Sequence, residues 1–257
     1  MVTLYEHPLS PYARKVKIAL WEKGIPFESR VPDLFGSIPG DFATASPRLE
    51  VPTLIVNGLS IFDSTIILEY IEDRYPEPAL RAADPADRAR ARMLEELADT
   101  QLEATAWALA EVRFFGRATG SRAEELTAAA RSVVSHHFDR LEHELSKREF
   151  LNGPAFGLGD IAFIPLVASL GFFGLQPGPE RPRLSAWLGR MFERESVQKD
   201  QAAAMEAVAS FSTAATGGRP VVRQYRDHRL EWMMKHGGAD IVRDGLANGS
   251  IKFAPDA

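Results

Sequence analysis

Residues 51–74 read VPTLIVNGLSIFDSTIILEYIEDR, and two changes of period inside this stretch decide the fold. Pro52–Val56 and Leu59–Phe62 are short apolar runs separated by Asn57-Gly58. Asn-Gly in that position predicts a β-hairpin, because both residues tolerate the positive φ of a type I′ turn. Asp63-Ser64 then offers a cap for a helix over Thr65–Arg74, with Ile67, Leu68 and Ile71 on its inner side. Upstream, Val2–Glu6 reads as a strand. Pro11–Lys23 reads as a helix with Val16, Ala19 and Leu20 on one face, stopped by Gly24. Phe27–Val31 is a second short strand. A loop from Pro32 to Gly40 leads into a weak helical stretch that ends at Ser46-Pro47. The order βαβ, loop, hairpin, helix makes residues 1–76 an α/β unit.

Beyond it the alternation stops. Residues 77–85, rich in proline, read as a linker. Residues 86–211 read as an all-helical domain. Asp84-Pro85 opens a long helix to about Phe115, broken by Gly116–Gly120. Ser121 is the expected cap of the next helix, whose stripe is Val134, Phe138, Leu141 and Leu145. Asp160–Phe172 is apolar on all sides and is expected to be the buried central helix. Pro182–Glu195 and Val197–Phe211 complete the bundle. Residues 212–257 form a C-terminal extension with a helix expected over Val222–His236 and another after Gly238.

Composition narrows the chemistry. The 257 residues carry a net charge of −5 and contain no cysteine. This excludes disulfides, thiolate metal sites, a cysteine nucleophile and a mixed disulfide with a protein thiol. The acidic balance gives no reason to expect nucleic acid or an anionic membrane as partner. No stretch approaches the roughly 18–20 apolar residues of a membrane span. No signal peptide is apparent ahead of the first strand, so a cytoplasmic location is expected.

Ser10-Pro11-Tyr12, Val51-Pro52-Thr53-Leu54 and Asp63-Ser64 each fall where one element meets the next. Ser10 precedes Pro11 at the N1 position of the first helix, where a hydroxyl and backbone N–H groups face the positive end of the helix dipole. Asp63-Ser64 adds a carboxylate, a hydroxyl and a second helix N-terminus. Such a site suits a flexible molecule with carboxylates, an amine and one group needing anionic stabilisation.

Three segments, HPLSPYARKVKIALWEKGIPFE, SPRLEVPTLIVNGLSIFDSTIILEYIEDRYP and FLNGPAFGLGDIAF, together resemble the glutathione transferase superfamily, in its bacterial serine-type branch. The resemblance covers about residues 1 to 211. It implies a thioredoxin-like domain followed by a helical bundle, and glutathione as co-substrate with no metal. Ser10 would hydrogen-bond the glutathione sulfur. Val51 would pair with the cysteinyl unit, Pro52 would be cis, and Asp63 and Ser64 would hold the γ-glutamyl end. The activity implied is addition of the thiolate to a small electrophilic, partly apolar substrate; ether cleavage, dehalogenation and isomerisation use the same site. A homodimer is implied too, and a non-catalytic adaptor is the rival from another class.

Two residues depart from the pattern. Glu50 stands where the family often has Lys or Gln near the glycyl carboxylate, so Glu50 must point away or Arg48 must take the role. Gly157 replaces the hydroxyl residue of a capping box with Asp160, and only the hydroxyl is expected to be missing. Tyr12, Gln101, Trp107 and Phe114 are candidates for the second-substrate pocket, with Tyr225, Trp232 and Met233 as possible contributors from the tail. Tyr12 is also a rival phenol to Ser10, and His7 reads equally as a base or a surface residue. His136, His137 and His143 read as a solvated helix face rather than a metal site. Arg223, Arg226 and Arg229 read the same way.

Overall fold

The computed structural model describes residues 1–32, 40–213 and 222–253; most of the loop expected from Pro32 to Gly40, and the start of the tail, lie outside them. β1 (Val2–Tyr5), α1 (Pro11–Glu22), β2 (Glu28–Arg30), α2 (Gly40–Ala45), β3 (Thr53–Val56), β4 (Leu59–Phe62) and α3 (Ser64–Arg74) follow in order. The sheet order is β2-β1-β3-β4, with β2 parallel and β3 antiparallel to β1. The hairpin forms in the expected register, Val56 opposite Leu59, with φ of 51° at Asn57 and 84° at Gly58. This is a thioredoxin-like α/β unit.

The long helix expected from Pro85 to Phe115 is α4 (Pro85–Leu97) and α5 (Glu103–Arg113), joined by a π-helical turn at Ala98–Leu102. α6 (Gly120–Leu145) starts at Gly120 with Thr119 before it and no side-chain cap, so Ser121 lies inside the helix rather than capping it. The expected stripe on α6 is buried, and so is His137, at 4% exposure. Burial, helped by neighbouring His136 and Arg140, pulls the His137 imidazole down to about 4; this corrects its assignment to a solvated face.

α7 (Leu158–Leu170) is the buried central helix. At its start the Asp160 carboxylate accepts from the backbone N–H of Leu151 (2.8 Å), Asn152 (3.3 Å) and Gly157 (3.1 Å) and from the Trp187 indole (2.7 Å). Burial pushes Asp160 up to about 6, against these four donors. Gly157 is more than a tolerated cap: a Cβ there would lie 2.0 Å from the Leu80 carbonyl oxygen and 2.2 Å from the Asn152 amide nitrogen. α8 (Pro182–Phe192) and α9 (Glu195–Thr213) close the bundle.

α1 lies between sheet and bundle, so its basic residues are inside the molecule. Arg14 pairs with Asp200 of α9, Lys15 with Glu95 and Asp99, Lys17 with Glu6, and Lys23 with Glu72. The tail departs from expectation most. The single helix expected over 222–236 is β5 (Arg223–Tyr225) followed by α10 (Asp227–Lys235); α11 (Ala239–Ala247) and β6 (Ile251–Phe253) complete it, with β6 parallel to β5. Among the described residues no helix is long and apolar enough to cross a membrane.

Candidate functional site

Ser10 is the N-cap of α1, half-buried, with extended backbone and Pro11 at N1. Its Oγ accepts a long 3.4 Å contact from the Ala13 N–H. A hydroxyl held this loosely retains its proton for donation, and it stands where the helix dipole favours negative charge. His7 is oriented by its own loop, its Nδ1 accepting the Leu9 N–H at 3.2 Å, and burial lowers its pKa.

The turn before β3 is fixed from within. Ser46 Oγ donates to the Glu50 carbonyl (3.1 Å) and accepts the Glu50 N–H (3.2 Å), and Thr53 Oγ1 donates to the same carbonyl. The Val51–Pro52 peptide bond is cis, as expected. At the end of the hairpin Asp63 takes φ 74° and caps α3, its Oδ1 accepting from Thr65 N (3.0 Å) and Ile66 N (3.3 Å). Ser64, at the first position of α3, is buried. One oxygen of the Asp63 carboxylate, Oδ1, is therefore engaged by α3.

The tail bridges the turn before β3 and α5. β5 alternates, as a strand must. Arg223 and Tyr225 face α5, both reaching Glu111, at 2.6 and 3.2 Å. Gln224 and Arg226 face the α/β unit, and both reach Glu50, at 3.0 and 2.9 Å. Trp107 of α5 is clasped by two guanidinium groups, Arg223 at 3.5 Å and Arg229 at 3.6 Å from the ring centroid. On α10, Arg229 and His228 both hold Glu103. Burial would raise the Glu103 carboxyl, but Arg229 and His228 outweigh it and hold it at about 2.

The Tyr12 hydroxyl donates to the Asp99 carbonyl at 2.6 Å and meets His228 Nε2 at 3.2 Å. Its proton is committed, and burial among Glu103 and Asp99 pushes its pKa well up. The Tyr12 hydroxyl is thus used inside the fold, whereas the Ser10 hydroxyl acts as acceptor in its contact with Ala13 and keeps its own proton.

The structure thus gathers Arg48, Glu50, Val51 and Pro52 around one turn, and links Tyr12 and Trp107 through the tail. Gln101 is exposed on the π-helical turn, and Phe114 packs against Phe173 (5.7 Å) at the far end of α5. Tyr225, Trp232 and Met233 are core residues. Arg223, Arg226 and Arg229 are not the solvated face expected: each pairs with a carboxylate, Glu111, Glu50 and Glu103 in turn. Glu50 is met by Arg48 (2.9 Å), Arg226 and Gln224. The missed residues, Gln224, Arg226, His228 and Arg229, lie in a tail that meets Glu50 and Glu103, each more than 100 positions away and beyond the reach of local periodicity. Among the described residues there is no group of three or more acidic or histidine side chains placed to hold a metal.

Comparison with known proteins agrees with this architecture. Residues 4–79 match the glutathione S-transferase N-terminal domain family and residues 77–195 the glutathione S-transferase C-terminal domain family. Over 210 residues the chain is 32% identical to a probable glutathione S-transferase, parC, of Nicotiana tabacum, covering 77% of this chain and 90% of that protein. It is 30% identical to the FtsZ-localized protein A of Caulobacter vibrioides, over 75% of this chain and 87% of the relative. A glutathione S-transferase of Methylobacterium radiotolerans, solved in complex with glutathione sulfonate, superposes with a TM-score of 0.65 at 30% identity, covering 77% of this chain and 93% of the other. On these grounds the chain belongs to the glutathione S-transferase family.

Proposed function

We propose that the chain is a glutathione transferase, in which Ser10 stabilises the thiolate of bound glutathione for attack on a small electrophile. The observation that supports it most is the placement of Ser10, a loosely engaged hydroxyl at the N-terminus of a twelve-residue helix. A thiol with a pKa near ~8.5 is only about 3% ionised at pH 7. Lowering that value by roughly two units takes about 2.7 kcal/mol and raises the thiolate about 25-fold. A hydroxyl donor and a helix N-terminus together can supply energy of that order.

In this reading the cysteinyl unit lies along Val51, the γ-glutamyl end meets Ser64 and the N-terminus of α3, and the chain acts in the cytoplasm as a homodimer. Exposed Leu59, Ile66 and Met93 supply apolar surface for such an assembly. A second reading, a non-catalytic adaptor, draws support from the tail, which fills the space next to Tyr12 and Trp107.

A thermal melt with and without millimolar glutathione tests the site. At a ligand concentration of 100 Kd the gain is ~2.7 kcal/mol, a rise of several degrees for a chain of this size. No rise at 10 mM overturns the proposal. A rise without turnover of any electrophile favours the adaptor.

A further inference from the structure

We propose that Arg226, delivered by the C-terminal segment, completes the glutathione site by binding the glycyl carboxylate together with Arg48. This rests on the glutathione reading above. With the γ-glutamyl end at Ser64 and the cysteinyl unit along Val51, the glycyl end of the extended tripeptide runs toward residues 48–50. Glu50 alone would make that end repulsive to a carboxylate.

The tail reverses the sign. Arg48 Nη2 and Arg226 Nη1 each stand 2.9 Å from the same oxygen, Glu50 Oε2, while the Gln224 amide donates to Oε1 at 3.0 Å. Two guanidinium groups against one carboxylate leave a net positive charge beside the turn. Each guanidinium has five donors in a planar fork, so pairing with Glu50 leaves N–H groups to share with a second carboxylate. Both side chains stay partly open, 21% exposed for Arg48 and 33% for Arg226. Arg48 is steadied against the Phe62 ring, its guanidinium carbon 5.5 Å from the centroid. Arg226, the residue after β5, keeps an extended backbone, so the alternation carries on through it while Arg223 and Tyr225 anchor the other face on Glu111. The Glu50 carboxylate thus acts as the strut that holds both arginines at the turn.

The test compares glutathione with its glycyl ethyl ester, in which that carboxylate is masked, by titration calorimetry on the full chain and its Arg226→Ala and Arg226→Lys variants. The expected result is that Arg226→Ala loses about tenfold in affinity for glutathione, the scale of one charge-assisted hydrogen bond, and keeps its affinity for the glycyl ester. Arg226→Lys recovers part of the loss. Equal weakening toward both ligands would show that Arg226 only holds the tail, and tighter binding in Arg226→Ala would show that the tail obstructs the site; either overturns the inference. Failure of the wild-type chain to bind glutathione overturns the glutathione reading and this inference with it.

Discussion

Arg14 and Asp200 form a two-pronged ion pair across the interface of α1 and α9. Arg14 Nε and Nη2 lie 2.9 and 2.8 Å from Asp200 Oδ2, and both side chains are sealed from solvent at 1% and 0% exposure. Arg14 Nη1 also donates to the Pro165 carbonyl and to Ser169 Oγ on α7. One guanidinium therefore ties the α/β unit to two helices of the bundle. Removing one partner strands the other as a buried charge, so Arg14→Ala or Asp200→Ala should each cost about 3–5 kcal/mol. Arg14→Met combined with Asp200→Leu should cost far less than the sum of the single changes. Urea unfolding of the three variants measures this; additive losses would mean that water reaches the pair.

Gly157 provides a second test, on the linker. A hydroxyl residue at a helix N-cap normally stabilises, so Gly157→Ser would be chosen from sequence as an improvement. The Leu80 carbonyl closes that option: it stands 2.0 Å from where a Cβ would sit and accepts the Leu158 N–H at 2.9 Å. Gly157→Ser should destabilise by about 1–3 kcal/mol, the scale of overpacking, seen as a lower urea midpoint with unchanged slope. A higher midpoint would show that residues near Leu80 yield to the side chain.

The contrast between Gly157 and Asn57-Gly58 shows where sequence stops informing structure. The hairpin, the Ser10 and Asp63 caps and the buried character of α7 depend on residues within a few positions of each other, and all could be read locally. The use of Gly157 depends on Leu80, the burial of Arg14 on Asp200, and the neutralisation of Glu50 on Arg226. Charged residues on α1 look like a solvent face until the partner layer is known. In the tail, Arg223, Arg226 and Arg229 at three-residue spacing imitate a helix, but the first lies in a strand because Trp107, Glu111 and β6 hold it there. Nothing in the local pattern records those partners.

Ser10→Ala should separate capping from chemistry. The Ala13 contact is long, so the loss of stability should be at the low end of capping effects, about 0.5 kcal/mol. Losing one hydrogen bond to an anion, about 1.5–3 kcal/mol, should raise the pKa of bound glutathione by about one to two units and slow turnover below that pKa by a similar factor. Thiolate absorbance of the complex against pH reads the shift directly. An unchanged pKa would leave Ser10 as a helix cap.

His228 gives the tail a pH dependence. Burial lowers its pKa, but the hydrogen bond and charge of Glu103 outweigh that and raise it overall, with Asp227 adding to the rise and Arg229 opposing it. A folded value above the unfolded one contributes stability that is complete below about 6.5 and is lost as pH climbs through the raised value. The Glu103 carboxyl, held at about 2, stays ionised throughout that window, and Tyr12, pushed well above its ordinary value, stays neutral. Hydrogen exchange of residues 222–253, corrected for its intrinsic dependence on pH, should therefore show a few-fold weaker protection at pH 8.5 than at pH 5.5. His228→Gln should flatten that difference while Arg229 still holds Glu103. Equal protection at both pH values in the wild-type chain would mean that Arg229 alone secures α10, and the contact between His228 and Tyr12 would then play no part in holding the tail.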